Sequence, residues 1–183
     1  METQKARYLT IRFECNKTDE LFPGETSKLH FLQQAEKWLF PSTTVLSWSL
    51  CKTNAIFLIE RPSEISELKS AIQKFNRKYS RYLRKKIKNK TLLVTSKLTY
   101  LHEYKKADLK ALVLQMHTTP IEQGLGTNFI EYPWTSYLQL LNPKYCNLDH
   151  TEVMSWFGNK KTYRKLHHNQ LAEITGESLE RQK

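Results

Sequence analysis

The sequence predicts an α+β fold: a largely antiparallel sheet with helices packed on it, followed by a helical C-terminal tail. Three observations carry that expectation. Short segments in which apolar residues alternate with polar ones are interleaved with longer segments in which they recur at helical spacing. The order of the two kinds is strand, helix, strand, strand, helix, strand, helix. The chain has 183 residues, 39% of them hydrophobic, enough for one sizeable core and little more. With only 5 Gly and 6 Pro and an aromatic content of 11%, collagen-like, low-complexity and wholly disordered states are excluded.

The elements follow in order. Leu9, Ile11 and Phe13 alternate with Tyr8, Thr10 and Arg12, the pattern of a half-buried strand. After a polar stretch, Leu29, Leu32, Ala35, Trp38 and Leu39 recur at helical spacing until Pro41 stops the run. The segments TTVLSWSL and AIFLIE read as two strands joined by the short polar link from Cys51 to Asn54, an antiparallel hairpin. From Ser63 to Lys88, the residues Ile65, Leu68, Ile72, Phe75, Tyr79, Tyr82, Leu83 and Ile87 mark one stripe of a long helix. A β-rich segment, TLLVTSKLTYL, comes next. The run DLKALVLQMH is then helical and is expected to end before Thr118-Thr119-Pro120, because the residue preceding a proline is biased away from helical geometry. The arrangement is therefore a ferredoxin-like βαββαβ unit with a further helix. Residues 1–142 are expected to form the main domain and residues 143–183 a helical extension, with short amphipathic helices around Glu152 to Phe157 and Thr162 to Ile174.

The 29 Lys and Arg residues outweigh 18 Asp and Glu, a formal charge of +11, and the excess is local. Eleven basic residues and no acidic one lie between Lys69 and Lys97, while the rest of the chain is balanced. Such a block is the footprint of a polyanion-binding surface, most often for nucleic acid. Arg77, Lys78, Arg81, Arg84, Lys85, Lys86 and Lys88 are the contact candidates, on charge alone.

No apolar run approaches the roughly 20 residues of a membrane helix, and the N-terminal stretch has no cleavable-leader pattern. The expected setting is cytoplasmic, with no membrane partner. Cys15, Cys51 and Cys146 have no CxxC partner, and no two of the six histidines have the spacing of a known metal site, so no dedicated metal site or cofactor is expected. Phosphate-cradling glycine loops of the nucleotide-binding types are also missing, and GLGTN reads as a turn after a helix.

Four segments, WSLCKTNAIFLIE, NRKYSRYLRKK, LQMHTTPIEQGLG and EYPWTSYLQLL, together resemble the single-tyrosine (HUH-type) transposases, including their REP-associated branch. EYPWTSY is the most specific of them, and the tail LDHTEVMSWFGNKKTYRKLHH is similar to a C-terminal extension found in that family. The resemblance implies a site in which two strand histidines, one residue apart, bind a divalent metal. A further ligand follows a nucleophilic tyrosine by one helical turn, and the tyrosine attacks a DNA phosphodiester. Carried over, the histidines fall on Asn54 and Ile56, the nucleophile on Gln115 and the helix ligand on Thr119. Isoleucine cannot ligate a metal, and glutamine has no nucleophilic oxygen. The resemblance thus implies a catalytically inactive derivative that binds single-stranded or hairpin DNA through a basic helix. One alternative is a divergent transposase or nuclease that uses another tyrosine, with Asn54 or His117 as replacement ligand. Another is a scaffold whose basic face meets RNA or an acidic protein. Tyr79 and Tyr82 fall on or near the apolar stripe and read as packing residues. Relatives include both dimers paired through their sheets and monomers, so a homodimer is open.

Overall fold

In the computed structural model, which describes residues 6–16, 20–142 and 148–176, the first strand β1 (Tyr8–Cys15) lies at the centre of a four-stranded sheet. β2 (Val45–Leu50) and β3 (Asn54–Glu60) form the expected hairpin, closed by the Cys51 amide donating to the Asn54 carbonyl at 2.8 Å. With β4 (Val94–Leu101) the order across the sheet is β2-β3-β1-β4, every neighbouring pair antiparallel. This is the α+β, ferredoxin-like arrangement predicted from the pattern of elements.

Because side chains alternate along a strand, the sheet has two apolar faces, and helices cover both. Leu9, Ile11 and Phe13 of β1 join Phe57 and Ile59 of β3 under α1 (Glu25–Trp38) and α2 (Ile65–Ile87). Phe13 sits among Phe31, Phe57 and Phe75 with ring centroids 5.5, 5.9 and 4.9 Å away. The tilted and edge-on contacts satisfy the ring quadrupoles as well as burying area. α2 contributes Leu68, Ile72, Phe75, Tyr79 and Leu83, the stripe that the periodicity marks.

The opposite face carries Tyr8, Leu46, Leu58 and Leu101, which pack against α3 (Lys106–Glu122). The same core takes in α4 (Tyr137–Leu141), α5 (His150–Phe157) and α6 (Lys160–Thr175) through Leu140, Trp156, Phe157 and Tyr163. The C-terminal helices are therefore walls of the second core. Asp149 caps α5 by accepting the Glu152 amide at 2.9 Å, and Asn159 caps α6 by accepting that of Thr162 at 2.8 Å. Gly158 stands between them with φ 85°, a value that favours glycine at the sharp turn.

The end of α3 corrects the expectation of a stop before Thr118. The helix runs through Pro120 to Glu122. Its true terminus is a pair of bonds in which the Gly124 amide donates to Ile121 O at 2.8 Å and the Leu125 amide to Pro120 O at 2.9 Å, with Gly124 at φ 69°. This is the Schellman pattern, which satisfies the last carbonyls better than an end at the proline would. Pro120 costs the helix one amide donor, and burial of Thr118, Pro120 and Ile121 in the second layer holds the extra turn in place.

Candidate nucleic-acid interface

The basic residues of α2 divide between two flanks of the helix. Arg77, Arg81 and Lys85 recur every four residues, and Arg84 and Lys88 follow at the same spacing beside them, so the five form one stripe. They line a cleft of about 540 Å³ together with Lys90. From Arg77 to Lys88 the stripe spans about 16 Å at the helical rise. Lys90 comes after the helix end and reaches the cleft because Lys88 leaves α2 in the left-handed conformation, φ 56° and ψ 26°. That reversal breaks helical periodicity, so periodicity alone gave no reason to group Lys90 with the stripe.

Lys78 and Lys86 lie on the other flank, facing α1. Lys74 and Lys78 place their ammonium groups 3.7 and 5.7 Å from the Trp38 ring centre. Lys86 donates to Thr26 Oγ1 at 2.6 Å and Ser27 Oγ at 2.8 Å. Tyr82 stacks on His30 at 3.9 Å. Ion pairs among the described residues join Arg7 to Glu60 and Glu152, Arg12 to Glu14, and Lys52 to Glu20. None involves α2. The stripe's charge is thus un-neutralised by carboxylates among the described residues, and its Arg84, Lys85 and Lys88 lie at the helix C-terminus, where the macrodipole favours cations. Within the stripe, the Nε of Arg84 is buried and has no hydrogen-bond partner among the described residues.

The four positions carried over from the resemblance lie on the other side of the sheet. Ile56 packs against the second core, and Asn54, two residues earlier on β3, belongs to the same strand face. Gln115 and Thr119 are one turn apart on α3, the helix that covers that face. Gln115 is exposed, and Thr119 donates its hydroxyl back to the Gln115 carbonyl at 2.7 Å. Asn54 donates to Thr53 Oγ1 at 3.5 Å, and no hydrogen bond joins the strand pair to the helix pair among the described residues. The sheet register sets Ile56 beside Arg12 and Arg12 beside Lys97. Ile56 has no donor atom, and its cross-strand neighbours are a cation, Arg12, and Ser49, so the position does not fit the divalent metal that the resemblance implies. Among the described residues no three His, Cys, Asp or Glu side chains group closely enough to hold a metal.

His117, the alternative ligand, has both ring nitrogens engaged. His167 Nδ1 faces the Tyr163 carbonyl at 2.8 Å and must donate to it, which leaves His167 Nε2 to accept from His117 Nδ1 at 2.9 Å. His117 Nε2 then accepts from Ser136 Oγ at 2.8 Å or Ser47 Oγ at 3.2 Å. The chain is fully buried and neutral: burial pushes the His117 imidazole well below its ordinary pKa and that of His167 down to about 4. No lone pair is left for a metal.

Several tyrosines are held in the protonated state. Burial pushes the phenols of Tyr8, Tyr79, Tyr132, Tyr137 and Tyr163 upward. Tyr79 donates toward the carbonyls of Leu21 and Ser27 at 3.0 and 3.1 Å and is fully buried, as its place in the apolar stripe implies.

EYPWTSY, the most specific part of the resemblance, builds the edge of the sheet. The Leu50 amide donates to Trp134 O and the Ser136 amide to Trp48 O, both at 2.9 Å, so residues 134–136 run antiparallel along the outer edge of β2. Ser136 Oγ also accepts the Trp48 amide at 3.0 Å.

Neither a protein-family profile nor a curated protein sequence matches this chain. Among solved structures it is similar to a REP-associated tyrosine transposase bound to a REP hairpin, at 9% identity and a TM-score of 0.55, covering 80% of this chain and 87% of that one. Two structures of a bacterial tRNA(His) guanylyltransferase (Thg1)-like protein, with GTP and with ATP, align at TM-scores of 0.45 and 0.41 and identities of 9% and 10%. They cover 66% and 80% of this chain and 64% and 75% of theirs. At these identities the likeness is one of architecture, and it gives this chain a transposase-like fold.

Proposed function

We propose that this chain is a nucleic-acid-binding domain that holds a phosphate backbone along the outer flank of α2 and does not perform strand transfer. The observation that carries the reading is the stripe of Arg77, Arg81, Arg84, Lys85 and Lys88, joined by Lys90 around one cleft without a carboxylate among its described lining residues. Phosphate contacts supply most non-specific affinity for nucleic acid, and forked guanidinium groups suit them. The absence of cleavage is supported by the residues at the four carried-over positions, the fully engaged nitrogens of His117, and the burial of Tyr8, Tyr79, Tyr132, Tyr137 and Tyr163. The solved neighbour is bound to a REP hairpin, so a DNA hairpin with a single-stranded foot is the first ligand to test, with an RNA of the same sequence beside it.

Six engaged cations give a log–log salt dependence of affinity with slope about −4 on a single strand and about −5 on a duplex. Titration of labelled hairpin at several salt concentrations measures it, and a slope near zero overturns the reading. Incubation with hairpin and Mg²⁺ or Mn²⁺ is expected to leave no covalent protein–DNA adduct on a denaturing gel. An adduct or a metal-dependent nick would make the chain an enzyme.

A further inference from the structure

We infer that the cleft on the outer flank of α2 is a seat for a single phosphate group, gripped by the guanidinium of Arg84, rather than a diffuse positive surface. The inference rests on the nucleic-acid reading above and gives it a centre.

Three features single out Arg84. Arg77, Arg81, Lys85, Lys88 and Lys90 are exposed, whereas Arg84 is partly buried between them. Its Nε–H is withdrawn from solvent, yet donates to no oxygen among the described residues. A buried N–H without a partner is unusual in a folded protein, and an anion is the complement that a guanidinium lacks. The lining is also uniformly cationic: its other described members are two arginines and three lysines. The volume, about 540 Å³, is that of a small-molecule site and accommodates one nucleotide.

Shape then limits the ligand. A duplex carries its phosphates on the outside of a broad cylinder, which would rest on the exposed basic side chains at the rim. A phosphate reaching the Arg84 guanidinium must enter the concavity, as one borne on an unpaired or terminal nucleotide can. The chemistry is therefore a nucleotide phosphate, with two sources: a free nucleotide or an unpaired segment of a strand. The site lies on the α1/α2 side of the sheet, across from Asn54, Ile56, Gln115 and Thr119.

The test follows the side-chain Nε–H resonance of Arg84, assigned by its loss in Arg84→Lys, while the full chain is titrated with single-stranded oligothymidylate with and without a 5′ phosphate, a blunt duplex, a mononucleotide and inorganic phosphate. The resonance is expected to move with the single strands and to stay near its free position with the duplex. Arg84→Lys keeps the charge but loses the fork, so it is expected to weaken single-strand binding at least tenfold with an unchanged salt slope. Lys86→Gln, whose ammonium is tied to Thr26 and Ser27, should lose far less. A shift driven only by the mononucleotide or inorganic phosphate would keep the seat and discard the nucleic-acid reading. Strand binding that leaves the resonance unmoved, or an Arg84→Lys protein that melts and binds like the parent, would discard the seat and keep the basic flank.

Discussion

Lys88 holds a left-handed backbone conformation at the end of α2, where a side chain costs about 1 kcal/mol relative to glycine. The turn brings Lys90 to the cleft beside Lys88 itself, so local strain accompanies the clustering of charge. Lys88→Gly is expected to raise the melting temperature by about 2–4 °C while reducing the magnitude of the salt slope by about 0.7–0.9 through loss of one cation. Calorimetry and hairpin titration at several salt concentrations check the two halves. His117 and His167 behave in the opposite sense to surface histidines. Their neutral forms are favoured in the folded state, so the unfolded chain binds protons first as pH drops below 6.5. The stability they contribute is complete above pH 6.5 and declines toward pH 4, by on the order of 3 kcal/mol from His167 alone. Urea unfolding between pH 7 and 4 is expected to record this fall, and His167→Gln should flatten it. An unchanged slope in that variant would place the titration elsewhere.

At the scale of elements, α2 was the most legible part of the sequence and still hid its functional division. Leu68, Ile72, Phe75, Tyr79 and Leu83 fix its buried side through 3.6-residue periodicity, and the remaining circumference is basic almost throughout. Which cations stay free depends on α1: Trp38, Thr26 and Ser27 occupy Lys74, Lys78 and Lys86, a long-range event that no local pattern encodes. In α3 the proline signal placed the helix end too early, because the Schellman turn at Gly124 and the surrounding core outweighed the missing amide of Pro120. The edge segment 134–136 was visible as a motif but not as an architectural part. Ser136 Oγ meets the Trp48 amide, Ser47 and His117 in a fully buried setting. Ser136→Ala is therefore expected to destabilise the fold by about 1–3 kcal/mol, the cost of orphaned buried polar groups, as read from chemical denaturation midpoints.

For the whole molecule, the sheet separates two chemistries. The basic flank belongs to the layer formed by α1 and α2, whereas Asn54, Ile56, Gln115 and Thr119 belong to the layer formed around α3. A strand held on α2 is thus held across the sheet from the residues that the family resemblance aligns with catalysis. The α+β class, the order of elements and the concentration of charge between Lys69 and Lys97 were set by the sequence itself, since periodicity and composition act over a few residues at a time. Tertiary structure alone decided which cations share a cleft, that Arg84 carries a nitrogen unpartnered among the described residues, and that two histidines fifty residues apart close a single chain of hydrogen bonds. Those properties arise from contacts between elements distant along the chain, whose meeting depends on the packing of both faces of the sheet at once.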